Sequence, residues 1–105
     1  MAIVAVSISP VGEGLSVSKY VAEALRVVRA QDRVGHRLDS MFTTLEGDAD
    51  EIFALIRQMQ EAVFAAGAER VATVIKMDDR RDQEVSAGSK IAKIESILGY
   101  GSGEG

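Results

Sequence analysis

Two runs of apolar, mostly β-branched residues bracket the chain. Ala2-Ile3-Val4-Ala5-Val6-Ser7-Ile8 opens it, and Arg70-Val71-Ala72-Thr73-Val74-Ile75-Lys76-Met77 lies near its end, followed by the charged cluster Asp78-Asp79-Arg80-Arg81-Asp82. Neither run alternates cleanly between apolar and polar, which predicts strands covered on both faces. Two helical periodicities lie between them. Val17, Tyr20, Val21, Ala24, Leu25 and Val28 form one apolar stripe, after a loop at 11–15 and a capping serine at Ser16 or Ser18. Ile52, Leu55, Ile56, Met59, Val63 and Ala66 form the other, opened by Asp48 with Glu51 in capping-box spacing and ended by Gly67. The weak alternation from Val34 to Asp39 and the β-branched and aromatic stretch from Phe42 to Glu46 predict two shorter strands, turning near Ser40-Met41. A polar loop then spans Asp78 to Gly88. A short amphipathic helix follows from Ser89 to Leu98, with Ile91, Ile94, Ile97 and Leu98 as its apolar side.

The resulting order, β-α-β-β-α-β plus a terminal helix, predicts an α+β, ferredoxin-like sandwich with an additional C-terminal helix. Residues 1–98 make a single domain, and the glycine-rich tail 99–105 has too little apolar surface to order itself. Right-handed crossovers place both long helices on one face of the sheet. The other face then needs a cover, and a second copy of the chain is the simplest one. The extra helix either reaches across to that copy or folds back on its own sheet.

Composition narrows the chemistry more than it identifies it. The 105 residues contain no cysteine, which excludes disulfides, thiolate metal sites and thiol nucleophiles. A net charge of −4 with no basic face argues against nucleic acid, and the aromatic pattern of an RNA-reading sheet is missing. The opening run is too short and too β-branched for a signal peptide, and nothing approaches a membrane span. The expected setting is therefore cytoplasmic and soluble. The single histidine, His36, has no histidine partner for a metal pair and no triad around it, so it reads as a surface side chain. Asp48, Asp50 and Glu51 suit a helix N-terminus rather than a metal site. Gly12-Glu13-Gly14 lacks the lysine of a phosphate loop and carries an acid that would repel an anion. No nucleophile–base pair is recognisable, and no enzyme is expected.

The stretch Thr43-Thr44-Leu45-Glu46-Gly47 is the candidate site. Glu46 falls at the end of a strand predicted to be central, with two hydroxyls before it and a glycine after it. A carboxylate there is partly desolvated, so it either meets a partner or has its pKa raised. Lys76 and Arg80 are possible internal partners, and an internal ion pair and a ligand contact stay equally open. Asp78, Arg80 and Asp82 read as a self-paired loop or as part of a subunit contact.

Ile8-Ser9-Pro10 with Gly12 and Gly14, then Ser16-Val17-Ser18-Lys19-Tyr20-Val21, resembles the start of the thiamine-binding MTH1187/YkoF-like family, formerly a domain of unknown function. The resemblance continues through Thr43-Thr44-Leu45-Glu46-Gly47, Arg70-Val71 and Lys76-Met77-Asp78-Asp79-Arg80-Arg81-Asp82 to the helix at Ser89–Ile97. It implies a ferredoxin-like fold in dimers that pair into tetramers. It also implies non-catalytic binding of thiamine or its hydroxymethylpyrimidine half, for sequestration, delivery or sensing, with no metal and no cofactor besides that ligand. An oligomeric regulatory module answering to another small heterocycle is the alternative. An aminopyrimidine offers a ring nitrogen beside an exocyclic amine. Glu46 can serve the nitrogen through a shared proton, and Thr43 or Thr44 the amine. Ser7 or Ser9 could add a hydroxyl, and Phe42 or Tyr20 an apolar wall. One departure stands out: the family often has glycine where Phe42 precedes Thr43.

Overall fold

The computed structural model describes residues 1–12, 17–82 and 87–99. In order they form β1 (Ala2–Pro10), α1 (Val17–Arg29), β2 (Gly35–Leu38), β3 (Thr43–Gly47), α2 (Ala49–Ala65), β4 (Val71–Asp79) and α3 (Ala87–Leu98). The strands make one sheet in the order β2-β3-β1-β4, every neighbour antiparallel. This is the expected ferredoxin-like α+β sandwich with its added helix. Most of the loop before α1 with its Ser16 cap, part of the loop before α3, and the tail beyond Gly99 lie outside the described residues. The polar loop is shorter than its composition suggested, because β4 follows β1 as far as the pair Ala2–Asp79 and α3 starts at Ala87. Backbone pairing there overrides the charged side chains.

The core occupies one face of the sheet. Along β1, Ala2, Val4, Val6, Ile8 and Pro10 are buried, while Ile3, Ala5, Ser7 and Ser9 are only half-buried. The buried set, with Leu45 of β3, packs against Tyr20, Ala24 and Val28 of α1 and Ile52, Leu55, Ile56, Met59 and Val63 of α2. Each such aliphatic side chain contributes about 1.5–3 kcal/mol of burial. In the single chain the helices cover one face of the two runs, fully along β1 and only partly along β4. The other face is open, the one for which a second copy was expected as cover. Both faces look apolar in sequence because the open face of β1 begins with Ile3 and Ala5 before Ser7 and Ser9.

The local signals behave as physical chemistry requires. Asp48 accepts a hydrogen bond from the Glu51 amide at 3.1 Å and caps α2, while the Glu51 carboxylate faces Arg33 at 3.8 Å. Gly47, buried at φ +150°, turns the chain from β3 into that cap in a conformation other residues rarely adopt. The Gly67 amide bonds to the Phe64 carbonyl at 2.9 Å where α2 ends. The Gln31 side chain closes the α1–β2 loop. Its amide nitrogen donates to the carbonyls of Val28 and Val34 at 2.9 and 3.0 Å, and its oxygen accepts from the Val34 amide at 2.8 Å.

Helix α3 takes no part in the main packing, and its stripe of Ile91, Ile94, Ile97 and Leu98 is exposed. It does not fold back on its own sheet. An ion pair between Lys90 and Asp78 ties its first turns to the end of β4. Lys90, by hydrogen bond and by charge, holds the Asp78 carboxyl below its ordinary value of 3.8. With a depressed pKa, the tether is fully present above that value and is lost as pH falls through the lowered one. The side-chain carboxyl ¹³C resonance of Asp78 should therefore titrate below 3.8, and Lys90→Ala should return its midpoint toward that value.

Candidate functional site

The face of the sheet away from the helices is open, and strand register fixes what it presents. Residues directly opposite one another in antiparallel strands share a face. One row across the sheet reads Gly35, Glu46, Ile3, Asp78, and the next reads Arg37, Thr44, Ala5, Lys76. Beyond them Ser7 lies opposite Val74, and Ser9 opposite Ala72. Two acids thus flank Ile3 in one row, while in the next Ala5 lies between Thr44 and Lys76, with Arg37 beyond Thr44. Ile3 in one row, and Thr44 with Ala5 in the other, form the floor between the charges.

Of the residues expected at the site, the structure brings Glu46, Thr44, Ser7 and Ser9 to this face. Phe42, half-buried, immediately precedes β3, and the alternation along the strand carries it to the same side. Thr43 does not join them. It pairs with Val6, is 7% exposed, and points into the helix-covered layer. Tyr20 does not either: it is 4% exposed within the core beneath α1, with the Lys19 ammonium 4.9 Å from its ring. Both assignments are corrected by side. Thr43 is one residue out of phase with Glu46, and Tyr20 belongs to a helix on the opposite face.

The hydrogen bonds of the face define its chemistry. Thr44 Oγ1 donates to Asp39 Oδ2 at 3.2 Å, and Arg37 Nε donates to the same oxygen at 3.4 Å. The Thr44 proton is thereby committed, and its oxygen is left as an acceptor toward whatever occupies the face. Glu46 is half-buried, and a methyl built on Gly35 would stand 3.1 Å from its Cγ and 3.6 Å from Oε1. The Glu46 side chain therefore lies over Gly35. Arg80 and Asp82 form a two-pronged pair at 2.7 and 3.0 Å, as expected of a self-paired loop, whereas Asp78 turns to Lys90. Hydrogen bonding to Asp82 raises the Arg80 pKa further. His36 is exposed on the edge strand β2.

Two cavities lined by described residues lie elsewhere. One of about 90 Å³ sits between the Gln31–Val34 loop and α2, and one of about 360 Å³ lies along Lys19, Glu23, Ala62, Ala65 and Ala66. The first is too small for a heterocyclic ligand, since such pockets usually measure about 300–1,000 Å³. The second is floored by three alanines and offers only Lys19 and Glu23 for recognition. Sequence reasoning missed Gly35, Arg37 and Asp39, whose roles depend on which residues stand opposite them. Among the described residues, no helix is long and apolar enough to cross a membrane.

Comparison with known proteins agrees with this architecture. The profile of a family described as thiamine-binding protein matches residues 4–95. The UPF0045 protein YqgV of Bacillus subtilis is 40% identical over 102 residues, spanning 93% of this chain and 98% of its own. The crystal structure of MJ1052 from Methanocaldococcus jannaschii superposes with a TM-score of 0.80 at 36% identity, covering 89% of this chain and 94% of its own. A Thermotoga maritima protein named for thiamine biosynthesis or salvage shares the fold, with a TM-score of 0.75 at 16% identity over 89% of this chain and 97% of its own.

Proposed function

The chain belongs to the thiamine-binding protein family, and from that premise we propose that it binds thiamine or its hydroxymethylpyrimidine half without turning it over. The site is the open sheet face. Glu46 meets the pyrimidine ring nitrogen through a shared proton, and Thr44 accepts from the exocyclic amine. Ser7 and Ser9 supply further hydroxyls, and Phe42 provides an apolar wall. The observation that carries the reading is the pairing of an acceptor-only Thr44 with the Glu46 carboxylate in adjacent rows of one face. That donor–acceptor order is complementary to an aminopyrimidine edge. The acidic balance of the chain tolerates the positive thiazolium ring.

A flat sheet gives a ligand a floor but no roof. The second wall is a second copy of the chain, so the binding form is an oligomer of dimers or paired dimers. Three features support this. Val74 stands 56% exposed on the open face, the α3 stripe is uncovered, and the charged rows are self-complementary. A two-fold axis crossing the strands between those rows lays Asp78 of one copy over Lys76 of the other and Glu46 over Thr44.

Calorimetric titration with thiamine and with hydroxymethylpyrimidine, with light scattering on the same samples, tests the reading. Saturable heat with a mass of two or four chains is expected. No heat up to millimolar ligand, or a protomer mass at micromolar protein, would overturn it. A mass that changes on ligand addition would favour the regulatory module over simple carriage.

A further inference from the structure

Gly35 is a glycine that its backbone does not require. It stands within β2, outside the positive-φ glycines Gly12, Gly47, Gly67 and Gly99, and glycine weakens a strand unless something needs the space. The three atoms nearest to where its Cβ would lie all belong to its cross-strand partner Glu46: Cγ at 3.1 Å, the carbonyl oxygen at 3.6 Å and Oε1 at 3.6 Å. We infer that Gly35 is a positioning residue for the Glu46 carboxylate, an inference that rests on the binding role proposed above. With no side chain opposite it, Glu46 lies across the edge strand. A ring then has room above the floor of Ile3 and Ala5 and meets the carboxylate from the side. Any Cβ at position 35 pushes the Glu46 chain off its place by a few tenths of an ångström or into another rotamer, because a flexible side chain gives way before backbone does. The carboxylate then stands up from the sheet into the space the ring would use. Specificity at this edge thus comes from an absent side chain.

Gly35→Ala tests this, with Gly35→Ser as a second variant of the same kind. Both fit a strand backbone, so the melting temperature should match or exceed that of the parent. Thiamine affinity should fall about tenfold, the loss expected for a misaligned charged hydrogen bond. The decisive readout is non-additivity. In a Glu46→Ala background, Gly35→Ala should change affinity no further, since it acts only through that carboxylate. Parent-like affinity in Gly35→Ala, or fully additive losses, would overturn the inference. A ligand-free measurement separates it from the binding proposal: the carboxyl ¹³C resonance of Glu46 should shift in Gly35→Ala. If that resonance stays put, the positioning role fails whether or not thiamine binds. If it shifts while the parent ignores thiamine, the positioning role stands and the ligand is wrong.

Discussion

Replacing Glu46 by glutamine is expected to weaken thiamine binding about tenfold, because charge-assisted hydrogen bonds are roughly twice as strong as neutral ones and 1.4 kcal/mol is a factor of ten. Glutamine keeps the shape of the side chain and its path over Gly35, so the loss reports charge and proton sharing rather than packing. The fold should not notice. Glu46 is half-buried on the helix-free side, and substitutions away from the core usually change stability by less than about 0.5 kcal/mol. The pH dependence sharpens the test. A carboxylate that shares a proton with the ring nitrogen binds the protonated ring best, so parent affinity should rise as pH falls toward the ring's own pKa. Glutamine cannot follow, and its titration should be flat over the same range. A parent curve that is also flat would remove the shared proton and with it the role given to Glu46. Isothermal calorimetry across the pH series reads both quantities at once.

The sequence carried the elements and their order because those depend on local periodicity and on punctuation at Asp48, Gly47 and Gly67. It carried the interior place of the strand ending at Glu46 because the split β-α-β connection leaves one sensible sheet order. The candidate site was only half legible, and the reason is parity. Thr43 and Thr44 are chemically alike, yet side chains alternate along a strand, so one joins Glu46 and the other enters the core. The position of Glu46 itself could have settled this: residues 42, 44 and 46 share one face. Tyr20 was equally readable. It sits in the same apolar stripe as Ala24 and Val28, and a residue of that stripe faces the core, not the far side of the sheet. The Gly35–Glu46 crossing and the Lys90–Asp78 tether were not readable, since each depends on a register or a contact between segments distant along the chain.

Leu45→Ala should be the most damaging single change in the neighbourhood, costing about 3 kcal/mol of folding free energy within the usual range for buried leucine truncation. Leu45 is fully buried, lies opposite Val4 in β1 and belongs to the cluster formed with α1 and α2. Its removal leaves a cavity where the sheet meets both helices, and close-packed surroundings refill such a hole only partly. For a domain of this size the melting temperature should drop by on the order of 15 °C, and the denaturant midpoint should fall with an unchanged slope. Leu45 also separates the two residues that the proposed site relies on. Thr44 and Glu46 face outward because Leu45 is driven inward, so one burial preference orients both polar side chains. The variant should therefore lose affinity as well as stability, but only in proportion to its unfolded fraction at the assay temperature. Cooling until the variant is fully folded should restore parent affinity. Affinity that stays low in fully folded Leu45→Ala would mean that β3 needs its anchor for more than stability.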